Sequence, residues 1–474
     1  MPSQLSPGAA AAQTQEAAHL HKELGLWDLV LAQVLCVVGS TWVGVAAKLG
    51  RAHVAYWIGA MALFYLPLAV VVTYLNRLMP LEGGLYQWAK AGFGEMAGFL
   101  AAWNLWMYAV IVMGAIVFVI PTELSYMLGP SFAWIPGSKT ATLAITGSVI
   151  VAITLVSIHG LDIGKWVHNA GSVMVLLAYA ILLVLPIWAL WRGLIPKFTP
   201  IPWQVPRPSW FGVAIFGQMA VGALSGFEYV AILAGECRSA ARTIGQSVII
   251  SAPVIALMFI LGTSSVLTFV GNRPINVIGP IPQTMVLALG TTGVASWAAS
   301  FAIFLLIARA IGASSLVFTG LTRLPMTAGW DHIVPAWFTR LHPQHRTPVN
   351  SIWFVAALTF GLVLLSMLGV HEQEASQLLT TSSIAHYAIA YAALFALPLL
   401  GNAALRAALP LWVRLISAAG LASSLVSLAI TVYPIVDVTS RAAYAARVAT
   451  VVVISNLAAV WIYHGGRRRA GKRT

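Results

Sequence analysis

About twelve apolar runs, most of them near 20 residues long, are set between short polar joints, and that pattern leaves this chain few choices of fold. A hydrocarbon core of about 30 Å is crossed by roughly 20 helical residues. Within it, every backbone N–H and C=O must find a partner inside the protein, which a continuous helix supplies. The runs fall near residues 26–50, 54–75, 96–120, 140–158, 166–191, 210–236, 245–270, 293–320, 348–369, 376–400, 409–431 and 445–464. Only 8% of residues are charged, against roughly 25% in soluble globular chains, which excludes a soluble fold.

The first and sixth runs are interrupted at mid-depth by small residues, Gly39-Ser40-Thr41 in one and Gly222 with Ser225-Gly226 in the other. Residues 24–49 as one straight helix would reach about 39 Å, longer than the core, so the cluster favours unwinding. Backbone leaves the helix at membrane depth only where protein or a water-filled cavity satisfies it. Two such breaks in corresponding halves point to a substrate site in a carrier.

The net charge of +13 is assigned to topology and anionic lipid contact rather than to nucleic acid. An even number of spans puts both termini on one side, and the tail GGRRRAGKRT places that side in the cytoplasm. The expectation is a multi-pass protein of the cytoplasmic (inner) membrane. It has a disordered tail over 1–23, a membrane domain over 24–464 and a basic tail over 465–474. Trp27, Trp57, Trp134, Trp210, Trp412 and Trp461 fall near span ends, where indole favours the interface. Cys36 and Cys237 are not expected to pair, and His342 and His345 lack the further ligands of a metal site, so neither metal nor cofactor is expected. The proline-rich stretch 193–209 reads as an extended linker between two halves.

Three stretches, in order, carry a resemblance. PLEGGLYQWAKAGFGEMAGFLAAW (80–103), SGFEYVAILAGECRSAARTIG (225–245) and RLPMTAGWDHIVP…RTPVN (323–350) resemble the amino acid–polyamine–organocation superfamily of transporters. The resemblance implies an all-α membrane fold of about twelve helices. It also implies a five-plus-five inverted repeat like that of the bacterial leucine transporter, with helices one and six broken. It further implies alternating-access transport of amino acids or amines, as antiporter or symporter, driven by protons, sodium or exchange. The sequence departs from the pattern at Thr41, where a Gly is common, at Val175, where many members carry Lys, and at Gly245, where Pro is usual.

The candidate substrate residues are Gly39, Ser40 and Thr41, whose free N–H groups suit a carboxylate, and Ala223, Leu224, Ser225, Gly226 and Phe227, whose carbonyls suit an ammonium. Close helix packing by small residues is the alternative reading. Glu228 is read as the one carboxylate deep in a span, with Glu123 and Glu236 near span ends. It is the candidate for proton coupling, or else a residue that only orients its helix. Arg309, near the middle of span eight, is expected to pair with Glu228 or to meet an anionic substrate group. Ser314 and Ser315 are candidates for a sodium site, with hydroxyls bonded to their own helix carbonyls as the alternative. His168 and His386 are read as interhelical hydrogen-bonding groups. A single deep carboxylate favours a zwitterionic, mostly apolar amino acid over a polyamine. An intramembrane enzyme or a channel lacks its required residues here, and a nutrient sensor on a permease scaffold remains a third possibility.

Overall fold

A computed structural model describes residues 25–79, 84–159, 161–226, 240–327, 330, 333–342 and 347–470. Among these residues every regular element is a helix. Two short helices come first, α1 (Leu26–Val37) and α2 (Ser40–Ala47), followed by α3 (Gly50–Leu78) and α4 (Leu85–Phe93). Next are α5 (Glu95–Leu128), α6 (Lys139–Ile158), α7 (Leu161–Trp191) and α8 (Trp210–Ala223). Then follow α9 (Ala240–Val270), α10 (Pro280–Leu289), α11 (Val294–Thr327), α12 (Val349–Ser366) and α13 (Glu372–Leu400). The last two are α14 (Leu411–Ile430) and α15 (Arg441–Ala470). Ten of the helices are individually long and apolar enough to cross a membrane, and α1 with α2 makes a further, bent span. Residues 227–236 of the sixth expected span lie outside the described residues, and α8 is its N-terminal part.

Eleven of the expected spans appear with shifted ends, and the sixth is described only in part. The third continues eight residues past its expected limit to Leu128, because Pro121 falls in the first turn of the Ile120–Leu128 segment, where its missing N–H is tolerated. The stretch 271–292, read as a loop, contains α10, which starts at Pro280. The last helix runs on through Gly465–Ala470, part of the expected tail. Residues 194–209 carry no helix, as a linker rich in proline requires.

Burial ranks the helices. The apolar window of α5 is 89% buried and that of α15 only 17%, so α5 is central and α15 peripheral. Tyr108 on α5 stacks on Tyr387 of α13 with ring centroids 3.5 Å apart, and Tyr387 in turn stacks on Tyr391 at 4.4 Å. Helices α7 and α11 cross where both carry glycine. A Cβ on Gly171 would lie 2.9 Å from the Cα of Gly312, so only two glycines allow this approach. The crossing draws the middle of α11, with Arg309, against the break between α1 and α2.

Of the tryptophans near span ends, Trp27, Trp134, Trp210, Trp412 and Trp461 are exposed and free to meet an interface, whereas Trp57 is not. Trp57 is fully buried, stacked on Phe259 at 4.4 Å, and its Nε1 donates to Thr263 Oγ1 at 3.2 Å. Its position near a span end could not reveal that the end is covered by α9.

Candidate functional site

Helix α1 stops at Val37, Val38 and Gly39 are extended, and α2 restarts at Ser40, bent 49° from α1. The first N–H groups of α2 have no carbonyl one turn back, and they form the positive end of the half-helix. Other helices hold the break open. Tyr179 Oη on α7 donates to the carbonyl of Gly39 at 3.2 Å, and Ser40 Oγ donates to Glu123 Oε1 on α5 at 3.2 Å.

Glu123 belongs to this site although the sequence did not single it out as a candidate. It was expected near a span end, but the helix runs five residues beyond it to Leu128, and the side chain is 2% exposed. Its second carboxylate oxygen is buried without a hydrogen-bond partner. Glu228, read as the deep carboxylate, lies outside the described residues, as does Phe227.

Arg309 approaches the same break from α11. A Cβ on Gly39 would lie 3.4 Å from Arg309 Nη2, so the guanidinium rests against the unwound backbone. The residue is 8% exposed, and its Nε has no hydrogen-bond partner. Glu123 and Tyr179 are close enough to act on it electrostatically. Among the described residues, however, no carboxylate oxygen comes within 4 Å of it. The expected pairing with Glu228 lies outside the described residues.

The second break has a different form. Helix α8 widens into a π-turn over Gln218–Ala223 and ends, a geometry that recurs at functional sites. Gly226 has φ +122°, and its N–H donates to Tyr391 Oη at 3.3 Å. Trp42, one turn into α2, lies across Gly222: a Cβ there would meet the Trp42 ring at 2.7 Å and Ile384 at 2.9 Å. The two breaks therefore touch through one indole and one missing side chain.

Between them is a cavity of about 50 Å³, room for a few water-sized groups. Its walls include Gly39, Ser40, Thr41 and Trp42 from the first break, Gly222 from the second, and Arg309. Helix α5 adds Tyr108 and an apolar strip of Val112, Ala115, Ile116 and Val119. Helix α13 adds Ser376, Thr380, Ser383 and Ile384. The structure thus brings Gly39, Ser40 and Thr41 to the cavity with Arg309. Ala223, Leu224, Ser225 and Gly226 are buried beside it without forming its wall.

The contributions of α5 and α13 were not among the candidates. One signal was readable: Ser376, Thr380 and Ser383 recur at the i, i+4, i+7 spacing of one helix face within an apolar run. Ser314 and Ser315 do not reach the cavity. They lie where α11 packs on the end of α1, with Ala313 and Leu316 against Leu35. Ser314 Oγ has no hydrogen-bond partner, and Ser315 Oγ is 3.2 Å from His168 Nε2, not bonded back to its own helix. His386 bridges helices as expected, with Nε2 2.6 Å from Ser455 Oγ on α15 and Nδ1 2.8 Å from the carbonyl of Ser382.

A cavity of mixed apolar and polar lining enclosed by apolar helices, with one wall formed by interrupted backbone, defines a multi-pass membrane protein that handles small solutes. Comparison with known proteins specifies the class. A sequence profile described as "Amino acid permease" matches residues 24–457, and the chain belongs to that family. It is 26% identical to an uncharacterized transporter of Legionella pneumophila, over 70% of each chain. It is 24% identical to a probable agmatine/putrescine antiporter of Lactococcus lactis, over 72% of this chain and 71% of that one. It is 22% identical to a branched-chain amino acid permease of Bacillus subtilis, over 72% of this chain and 74% of that one. All three are transporters, and the two with a named substrate carry an amine or an amino acid.

Proposed function

We propose that this protein is a secondary active amino acid permease of the cytoplasmic membrane, with both termini in the cytoplasm, working by alternating access. Substrate binds between the two breaks, its carboxylate at the N–H groups that open α2. The observation that carries this reading is the cavity whose walls combine Gly39–Trp42, Gly222 and Arg309. A half-helix start is a ready anion site, and a guanidinium beside it strengthens the preference for a carboxylate. The same guanidinium opposes a polyamine, because a dication would be brought against a buried positive charge with no lining carboxylate among the described residues.

Transport is coupled to protons or runs as exchange, and Glu228 is the candidate proton carrier. Ser314 and Ser315 would take that role if sodium were the coupling ion. The test is uptake of a labelled amino acid mixture into proteoliposomes under an imposed proton gradient, a sodium gradient, or neither. Accumulation under the proton gradient alone, lost in Glu228→Gln, supports the proton-coupled form. Movement only against preloaded amino acid supports the exchanger. Binding without movement under any condition would make the protein a sensor and sink the permease reading.

A further inference from the structure

We infer that the cargo of this site is an amino acid of net negative charge, and that Arg309 is the residue that selects it. The inference rests on the amino acid permease reading and narrows its substrate class.

A guanidinium stays protonated inside a protein. Buried at mid-helix, it needs a partner or water, and removing a partner from a buried charge is strongly unfavourable. Arg309 is 92% buried by its 8% exposure. Among the described residues it has no carboxylate within salt-bridge range, and its Nε has no acceptor. Glu123, the nearest acid to act on it, spends one oxygen on the Ser40 hydroxyl. The guanidinium forms part of the cavity wall, so the space it faces is the space that a cargo enters.

Position adds to charge. Arg309 Nη2 lies beside Gly39, the residue immediately before α2. Two positive features thus converge at one point: a fixed cation and the N-terminal end of an eight-residue half-helix. The cavity wall also carries a row of hydroxyls on α13, Ser376, Thr380 and Ser383; Ser383 Oγ already donates to the Thr380 carbonyl at 2.7 Å, which leaves Ser376 and Thr380 to donate to a carboxylate. No carboxylate lines the cavity among the described residues. A neutral amino acid would bring only one negative group to this surplus of donors. A dicarboxylic amino acid supplies one carboxylate to Arg309 and the start of α2, and a second to the row on α13. The cavity is small, which favours a short acidic side chain over a long or branched one.

The experiment is competition in proteoliposomes against uptake of labelled amino acid. Unlabelled aspartate, glutamate, alanine, leucine and putrescine are titrated for the native chain, Arg309→Gln and Arg309→Lys. The inference expects aspartate or glutamate to compete at concentrations at least about tenfold below alanine or leucine, a difference of about 1.4 kcal/mol. It expects Arg309→Gln to abolish that preference and Arg309→Lys to retain part of it, since an ammonium keeps the charge without the fork. Equal competition by neutral and acidic amino acids, or an acidic preference unchanged in Arg309→Gln, overturns it while leaving the permease reading intact. Absence of saturable uptake of any amino acid removes the permease reading itself, and the inference with it. Should Arg309→Gln fail to fold, thermal stabilisation of the native protein by each unlabelled compound decides. A larger shift with aspartate or glutamate than with alanine, leucine or putrescine supports the inference, and any other order overturns it.

Discussion

The Trp42 indole occupies the space that a side chain at residue 222 would need. It links the two interrupted helices and forms part of the wall of the cavity between them. Any movement of α2 relative to α8 has to slide this ring across that glycine.

Gly222→Ala should therefore impair transport more than stability. Its new methyl would lie 2.7 Å from the Trp42 ring and 2.9 Å from Ile384. Overpacking of this kind costs about 1–3 kcal/mol when the neighbours must shift. Uptake should fall by about tenfold or more, with the protein still purified as a folded species. Trp42→Phe in the same background, with its smaller ring, should recover part of the loss. Unchanged uptake in Gly222→Ala would show that the ring moves freely at this point.

Ser40→Ala removes the hydrogen bond to Glu123 and leaves the buried carboxylate without a described partner on either oxygen. Leaving such a group unsatisfied costs about 1–3 kcal/mol. The melting temperature should fall. Glu123→Gln, which keeps an acceptor for Ser40, should melt closer to the native protein. A drop in Glu123→Gln larger than in Ser40→Ala would mean that the charge acting on Arg309, rather than the bond to Ser40, is what matters.

Tyr179→Phe deletes the donor to the Gly39 carbonyl without altering shape. Such a bond contributes about 0.5–1.5 kcal/mol, and this one positions the unwound segment rather than touching cargo. The expected effect is a rise of a few-fold in the concentration for half-maximal uptake. Tyr179→Leu, which also loses packing, should be worse in both uptake and melting.

His386→Ala and Ser455→Ala should each lower thermal stability by a similar amount, and the double variant should lose little more, because both break one buried bond of 2.6 Å between α13 and α15. The substrate concentration giving half-maximal uptake should stay within about twofold of the native value. A changed dependence of uptake on the proton gradient would instead give His386 a part in proton movement.

Much of this protein was legible before any coordinates. Run length and composition required membrane helices, because a bilayer offers unpaired backbone no solvent. The Gly39-Ser40-Thr41 cluster marked where the first span unwinds, and the spacing of small residues marked the second interruption at Gly222. Arg309 declared itself as a cation at an expensive depth. These readings depend on local chemistry alone: which residues tolerate irregular backbone, and which charges lipid rejects. What joins the breaks is different in kind. That Glu123 stands behind Ser40, that Trp42 lies over Gly222, that Tyr179 holds the Gly39 carbonyl and that α13 supplies hydroxyls to the cavity Arg309 also lines all depend on how helices far apart in sequence cross. Even the burial of Glu123 was hidden, because it depends on which helices cover the end of α5. The sequence determined which segments enter the membrane and where they fail to stay helical. Only the tertiary structure decided which faces meet, because helix packing is fixed by long-range fit at points such as Gly171 against Gly312, and not by anything either segment contains alone.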